Sequence, residues 1–193
     1  MKKPSQPDNS PVHSQPALKP PGATRERFTA IFDVYYSPVY NYICYRCGDV
    51  QAADDLAAQT FEKVLAHLDE YDPARGPLPP WLFTIARNLV NNYLRSQSLR
   101  AWFSLEAIRE PSDRMPGPEE IMIRMETHHE LMEQLKELPA KDRDLLALKF
   151  GGRLNNRQIA EITGLSESNV GVMLFRTCRR LQAQLVKKEV RYV

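Results

Sequence analysis

Residues 154–186 read LNNRQIAEITGLSESNVGVMLFRTCRRLQAQLV, and this stretch decides the fold. Asn155 can cap a helix, and Gln158, three residues on, can reach back to it in a capping box. Ile159 and Ile162 face inward, and Ala160 is small enough to let another helix pass closely. Gly164 can take the left-handed backbone that ends a helix, and Leu165 plugs the turn. Ser166 caps a second helix, expected to bury Val170, Leu174, Cys178, Leu181 and Leu185. A short helix, a glycine turn and a longer helix make a helix-turn-helix, a unit that pushes its second helix into the major groove of DNA. The groove-facing positions are then Ser166, Glu167, Ser168, Asn169, Val172, Phe175 and Arg176. Asn155, Arg157, Arg179 and Arg180 stand beside them, the arginines within reach of phosphates or guanine edges.

Upstream of this unit the apolar spacing stays helical. Phe28, Ile31, Phe32, Tyr35, Val39, Tyr42 and Ile43 recur at intervals of three and four, and Gly48 closes that helix. Either Asp49 or the Asp54-Asp55 pair opens a second one, carrying Leu56, Phe61, Val64, Leu65 and Leu68. Asp72-Pro73 is expected to end it, because the residue before a proline avoids helical angles. A proline-rich loop follows, and a third helix starts at Pro79 or Pro80 with Trp81, Ile85, Leu89 and Tyr93 on its inner face. Further helices are expected at 119–137, 140–150, 156–163 and 167–186. Strand-like alternation is absent.

Composition divides the chain. Residues 1–23 hold six of the 15 prolines and few apolar residues, which predicts a disordered tail. Residues 104–120, SLEAIREPSDRMPGPEE, hold three prolines and a glycine at net charge −3. The expected organisation is a tail at 1–23, a helical module at 24–103, a flexible linker at 104–119 and a helix-turn-helix module at 120–193. The fold class is all-α, with two small modules. Net charge is only +2 overall, but residues 150–193 carry eight basic and three acidic groups, a local footprint for a polyanion.

The first module specifies which DNA reader this is. Residues 53–68, ADDLAAQTFEKVLAHL, and 81–95, WLFTIARNLVNNYLR, resemble the second conserved region of sigma-70 family initiation factors. The matching positions are Asp55-Leu56 with Thr60-Phe61, and Trp81-Leu82 with Ile85-Ala86 and Asn88. Residues 135–185 resemble the fourth region, including Leu138-Pro139 and Arg143. Two modules without extra domains resemble the extracytoplasmic-function (ECF) group. The resemblance implies that Asp54, Asp55, Gln59, Thr60 and Phe61 dock on core RNA polymerase. It implies that the loop and third helix melt the −10 element and hold its non-template strand, through Tyr71, Arg87, Asn88, Asn91, Asn92 and Arg95. The helix-turn-helix would read the −35 element. The family usually has Gln-Glu before Thr-Phe, where this chain has Ala58-Gln59.

Family promoter elements lie ~16–18 base pairs apart, ~55–60 Å at ~3.4 Å per pair. A linker of this length spans ~58 Å when extended and averages ~23 Å as a free coil. Two-site binding therefore requires the linker to be drawn out on the polymerase.

Other constellations are weaker. Cys44 and Cys47 form a C-x-x-C without matching further ligands, which favours two buried small side chains over a metal or redox site. No metal or other cofactor is expected, and no catalytic motif is present. The missing catalytic motif predicts a protein that is not an enzyme, and three cysteines, no apolar leader and no membrane-length apolar run predict that it is cytoplasmic. Its expected partners are core RNA polymerase, promoter DNA and an anti-sigma factor, with no membrane. Two alternatives stay open: a stand-alone helix-turn-helix regulator that binds duplex DNA without polymerase, and a sigma-like protein that occupies polymerase without initiating.

Overall fold

The computed structural model describes residues 21–103 and 131–189. Every regular element among them is helical. α1 spans Pro21–Cys47, α2 Val50–His67 and α3 Leu78–Phe103. α4 covers residues 131–136, α5 Ala140–Leu146, α6 Asn156–Thr163 and α7 Glu167–Glu189. The tail expected at 1–23 lies outside the described residues, except that 21–23 already belong to α1. The linker expected at 104–119 also lies outside them. The helix expected at 119–137 is described only from 131.

Local chemistry explains the boundaries. Asp49 is the residue that opens α2, its carboxylate accepting from the Ala52 amide at 3.1 Å. The helix stops at His67, well before Pro73. Leu68 is fully buried, and its amide donates to Leu65 O in a tightened last turn, so the chain turns there without the proline. α5 does not continue as a plain helix to 150. It widens into a π-helical turn, Ala147–Gly151, with the Gly152 amide donating to Ala147 O at 2.8 Å.

Packing corrects three expected faces. In α3 the buried residues are Leu82, Phe83, Ala86 and Val90, while Trp81, Ile85, Leu89 and Tyr93 are half-buried. The helix carries two apolar stripes one residue apart, roughly 100° around its axis, and the core takes the other one. In α2, Leu65 is 47% exposed. In α7, Cys178 is exposed and Thr177 takes its place, buried with its hydroxyl donating to Met173 O at 2.9 Å. Counting from Val170, position 177 returns within about 20° of the buried stripe, whereas 178 is about 80° away. Leu185 lies outside the described side chains.

The two helical modules share one hydrophobic core. It runs from Ile31, Val39 and Tyr42 through Phe83 to Leu148, Ile159 and Leu174. α1 packs on the π-helical turn, and α3 packs on α6. The approach needs glycine: a Cβ on Gly151 would stand 2.8 Å from the Tyr42 nitrogen, and one on Gly152 2.7 Å from Phe83 Cε1. No helix among the described residues is long and apolar enough to cross a membrane.

Candidate nucleic-acid interface

The helix-turn-helix is built as its sequence dictates. The Gln158 amide donates to Asn155 Oδ1, and the Asn155 amide donates to Gln158 Oε1, both at 2.9 Å. Gly164 ends α6 with φ of 74°. Ser166 Oγ accepts from the Asn169 amide at 3.2 Å and caps α7. Ser166, Glu167, Ser168, Asn169, Val172, Phe175, Arg176 and Arg179 are all exposed along one end and side of α7. Phe175 is 64% exposed, with the Arg179 guanidinium 5.6 Å from its ring centre. An exposed Val172 and Phe175 can meet thymine methyl groups, and the arginines can meet guanine or phosphate. Asn155 is exposed but already used as a cap. Arg157 lies 3.5 Å from Glu161 on the same helix, and Arg180 lies 3.3 Å from Asp142.

A second surface forms around the loop between α2 and α3. Tyr71 donates to Gly76 O at 3.0 Å, and Asp72 Oδ1 accepts from the Ala74 amide at 2.9 Å, so the loop is braced across itself. The Tyr71 and Trp81 rings lie 5.0 Å apart. Together with Asp72, Arg75 and Ile85 they line an open cleft of about 940 Å³, large enough for a nucleobase, with Glu161 of α6 at its edge. Asn88 and Asn92 border a smaller neighbouring cleft of about 240 Å³, and Arg95 is exposed further along α3. Half-buried Trp81 and Ile85 are thus the stripe of α3 that a stacked base can reach.

Arg87 and Asn91 are turned elsewhere. Arg87 Nε donates to Asp144 Oδ2 at 2.7 Å and Nη1 to Ile162 O at 3.4 Å. Asn91 Oδ1 accepts from Arg46 Nη2 at 2.9 Å. Arg46 Nε lies 2.9 Å from Asp144 Oδ1 as an ion pair, without the alignment of a hydrogen bond. Tyr42 donates to the same oxygen at 3.0 Å. Burial and the Asp144 charge push the Tyr42 hydroxyl well above its usual range, which keeps it a donor. As a charged cluster Tyr42, Arg46 and Asp144 were not legible in the sequence, because a separation of 102 between Tyr42 and Asp144 leaves no local pattern.

On α2, Asp54, Asp55 and Gln59 are exposed. Thr60 and Phe61 are not on that face. Thr60 is fully buried with its hydroxyl donating to Leu56 O at 2.7 Å. Phe61 is buried against Phe28, Phe32 and Tyr36, with ring centres 4.9–6.4 Å away. Their part is to seat α2. Phe32 and Tyr36, which pack on Phe61, keep part of their rings exposed, and the four-residue spacing of Phe28, Phe32, Tyr36 and Tyr40 was the available signal for them.

The cysteines are free. Burial raises the Cys44 thiol to about 11 and the Cys47 thiol to about 12, which disfavours the thiolate that metal binding or redox exchange requires. Among the described residues no group of three or more metal-ligating side chains comes together.

Comparison with known proteins follows the same division. Residues 31–100 match the family described as Sigma-70 region 2, and residues 128–181 match Sigma-70, region 4. The chain is 26% identical over 166 residues to the ECF RNA polymerase sigma factor BldN of Streptomyces coelicolor, covering 86% of this chain and 62% of that one. It is 29% identical over 156 residues to the ECF RNA polymerase sigma factor SigM of Bacillus subtilis, covering 79% and 91%. In fold it is similar to the sigma factor RpoE, solved with the anti-sigma factor NepR from Bartonella quintana, at TM-score 0.68 and 21% identity over 83% of this chain and 97% of that one. It is also similar to CnrH, solved with the cytosolic domain of CnrY, at TM-score 0.63 and 20% identity over 84% and 90%.

Proposed function

The chain belongs to the sigma-70 family, within its ECF group, and from that premise we propose that its two modules place core RNA polymerase on a promoter by gripping the −10 and −35 elements. One observation carries this: region 2 at 31–100 precedes region 4 at 128–181 in a single chain. Neither module alone separates an initiation factor from another DNA binder. The ordered pair does, and a stand-alone regulator is therefore not favoured.

The division of labour is assigned residue by residue. Asp54, Asp55 and Gln59, exposed on α2, dock on polymerase. The cleft of Tyr71 and Trp81 takes an unstacked base of the −10 strand, at a cost of a few kcal/mol offset by stacking. Asn88, Asn92 and Arg95 hold the strand next to it. Val172, Phe175, Arg176 and Arg179 with the cap residues of α7 read the −35 duplex. Domain boundaries at 24–103 and 120–193 accommodate both matched regions. Promoter opening would draw on binding energy alone, so the protein is assigned no catalytic role and a cytoplasmic site of action. An anti-sigma factor is the third assigned partner, by family membership.

Run-off transcription with core polymerase and a candidate promoter, with and without the chain, tests the assignment. Transcripts that require the chain, and that disappear with Asp55→Ala while duplex binding by the helix-turn-helix persists, are the expected result. Promoter binding with no stimulation of transcription would remove it.

A further inference from the structure

We propose that Asp144 is an internal stand-in for a DNA phosphate: it holds the two modules together by filling a cationic cradle on the first module, made by Tyr42, Arg46 and Arg87, and a backbone phosphate of the single-stranded −10 region takes its place when the modules part. The proposal rests on the functional reading above and adds to it a site and a competition.

The cradle has the chemistry of an oxyanion site. Asp144 offers two carboxylate oxygens, and each meets a guanidinium: Oδ1 at 2.9 Å from Arg46 and Oδ2 at 2.7 Å from Arg87. Tyr42 adds a hydroxyl donor at 3.0 Å. Arg46 is held in place from behind by Asn91, at 2.9 Å. Planar guanidiniums with a neutral donor suit a phosphate as well as a carboxylate. Tyr42 and Arg46 come from α1, and Arg87 and Asn91 from α3, so the cradle belongs wholly to the first module. Its anion comes wholly from the second.

The charges do not balance without an anion. Arg143, half-buried beside Arg46, is depressed by burial and by that neighbouring positive charge. Asp144 is the one acidic side chain among the described residues paired with Arg46 or Arg87. Separation of the modules would leave Arg46 and Arg87 side by side with no counter-ion, an unfavourable state until another anion arrives.

Separation is required by the geometry. Arg87 on α3 bonds Ile162 O on α6, and Glu161 stands at the edge of the base cleft. The two modules are therefore in contact here through α3 and α6, whereas the promoter elements stand ~55–60 Å apart at ~3.4 Å per base pair. One member of the cradle, Arg87, lies on α3 with Asn88, Asn92 and Arg95, so a strand held along α3 has a phosphate within a turn of it once the modules part. Closed, the molecule buries Tyr42 and Arg46 and neutralises the cradle's charge. Open, it offers the cradle to DNA.

The test compares the full-length chain with Asp144→Asn, which keeps the shape and removes the charge. Two quantities are read without polymerase: the radius of gyration by small-angle scattering, and the affinity for an oligo-dT strand by fluorescence anisotropy. Asp144→Asn should expand the molecule and raise oligo-dT affinity about tenfold, because apparent affinity scales with the open fraction. The gain should vanish when Arg46→Gln and Arg87→Gln are added. Gly151→Ala, which wedges the modules apart against the Tyr42 backbone with Asp144 intact, should expand the molecule too and serves if Asp144→Asn loses its helical circular dichroism. An unchanged radius in the variant overturns the latch. Expansion with unchanged oligo-dT affinity, or a gain that survives loss of both arginines, overturns the phosphate site. Co-elution of the unaltered chain with core polymerase, measured separately, reports on the family function whatever the cradle does.

Discussion

Arg87 and Asn88 are adjacent in sequence and about 100° apart on α3, and that rotation gives them different partners. Arg87 is spent on Asp144, while Asn88 stays in the groove beside Asn92. The same offset on α2 leaves Gln59 in solvent and puts Thr60 in the core. Function at this scale is therefore a matter of which of two neighbouring positions faces out. Asp55→Ala should reduce affinity for core polymerase and leave the melting temperature within a degree or two, since an exposed substitution away from caps changes stability by about 0.5 kcal/mol or less. Thr60→Val should do the reverse, lowering stability with docking retained. Arg176→Ala should weaken −35 duplex binding by ~1–3 kcal/mol if it meets a guanine edge, seen as relaxed sequence preference in a competition assay. Thiol chemistry gives a third check. With Cys44 and Cys47 raised to about 11 and 12, both stay protonated at pH 8, and their alkylation should speed up only as pH climbs toward those values. Exposed Cys178 should label first, one fast thiol per chain.

At the scale of the element, the helix-turn-helix is the part most fully written in the sequence. Asn155, Gln158, Gly164 and Ser166 act within four residues of themselves, and each bond they predict is present. Asn155→Ala should cost about 1 kcal/mol, and Gly164→Ala about 1–2 kcal/mol for placing a Cβ in left-handed backbone; thermal unfolding followed by circular dichroism reads both. α3 was less legible. Its two apolar stripes satisfy the same period, and only the position of its neighbours decides between Trp81-Ile85-Leu89 and Leu82-Ala86-Val90. The end of α2 was misread for a related reason: buried Leu68 anchors a turn before the proline can act. The π-helical turn at Ala147–Gly151 had no sequence signal except its two glycines, and their meaning appears only when α1 and Phe83 are seen against them.

At the scale of the whole molecule, the surfaces proposed for polymerase and for DNA were legible as separate patches. Their relation was not. Tyr42, Arg46, Arg87 and Asp144 meet across two modules, and no periodicity within either module encodes that meeting. The closed arrangement packs the module proposed to hold the −10 element against the module proposed to read the −35 element. On the proposed function, opening must then accompany docking on polymerase. The distance between the modules tests this most directly. Donor and acceptor dyes placed through Glu26→Cys on α1 and Gln182→Cys on α7, both exposed, with Cys178→Ser, report it by energy transfer. The free chain should show efficient transfer, and the same chain on core polymerase at an active promoter should lose it, as the two elements require. Efficient transfer retained in complexes that are making transcripts would contradict the account.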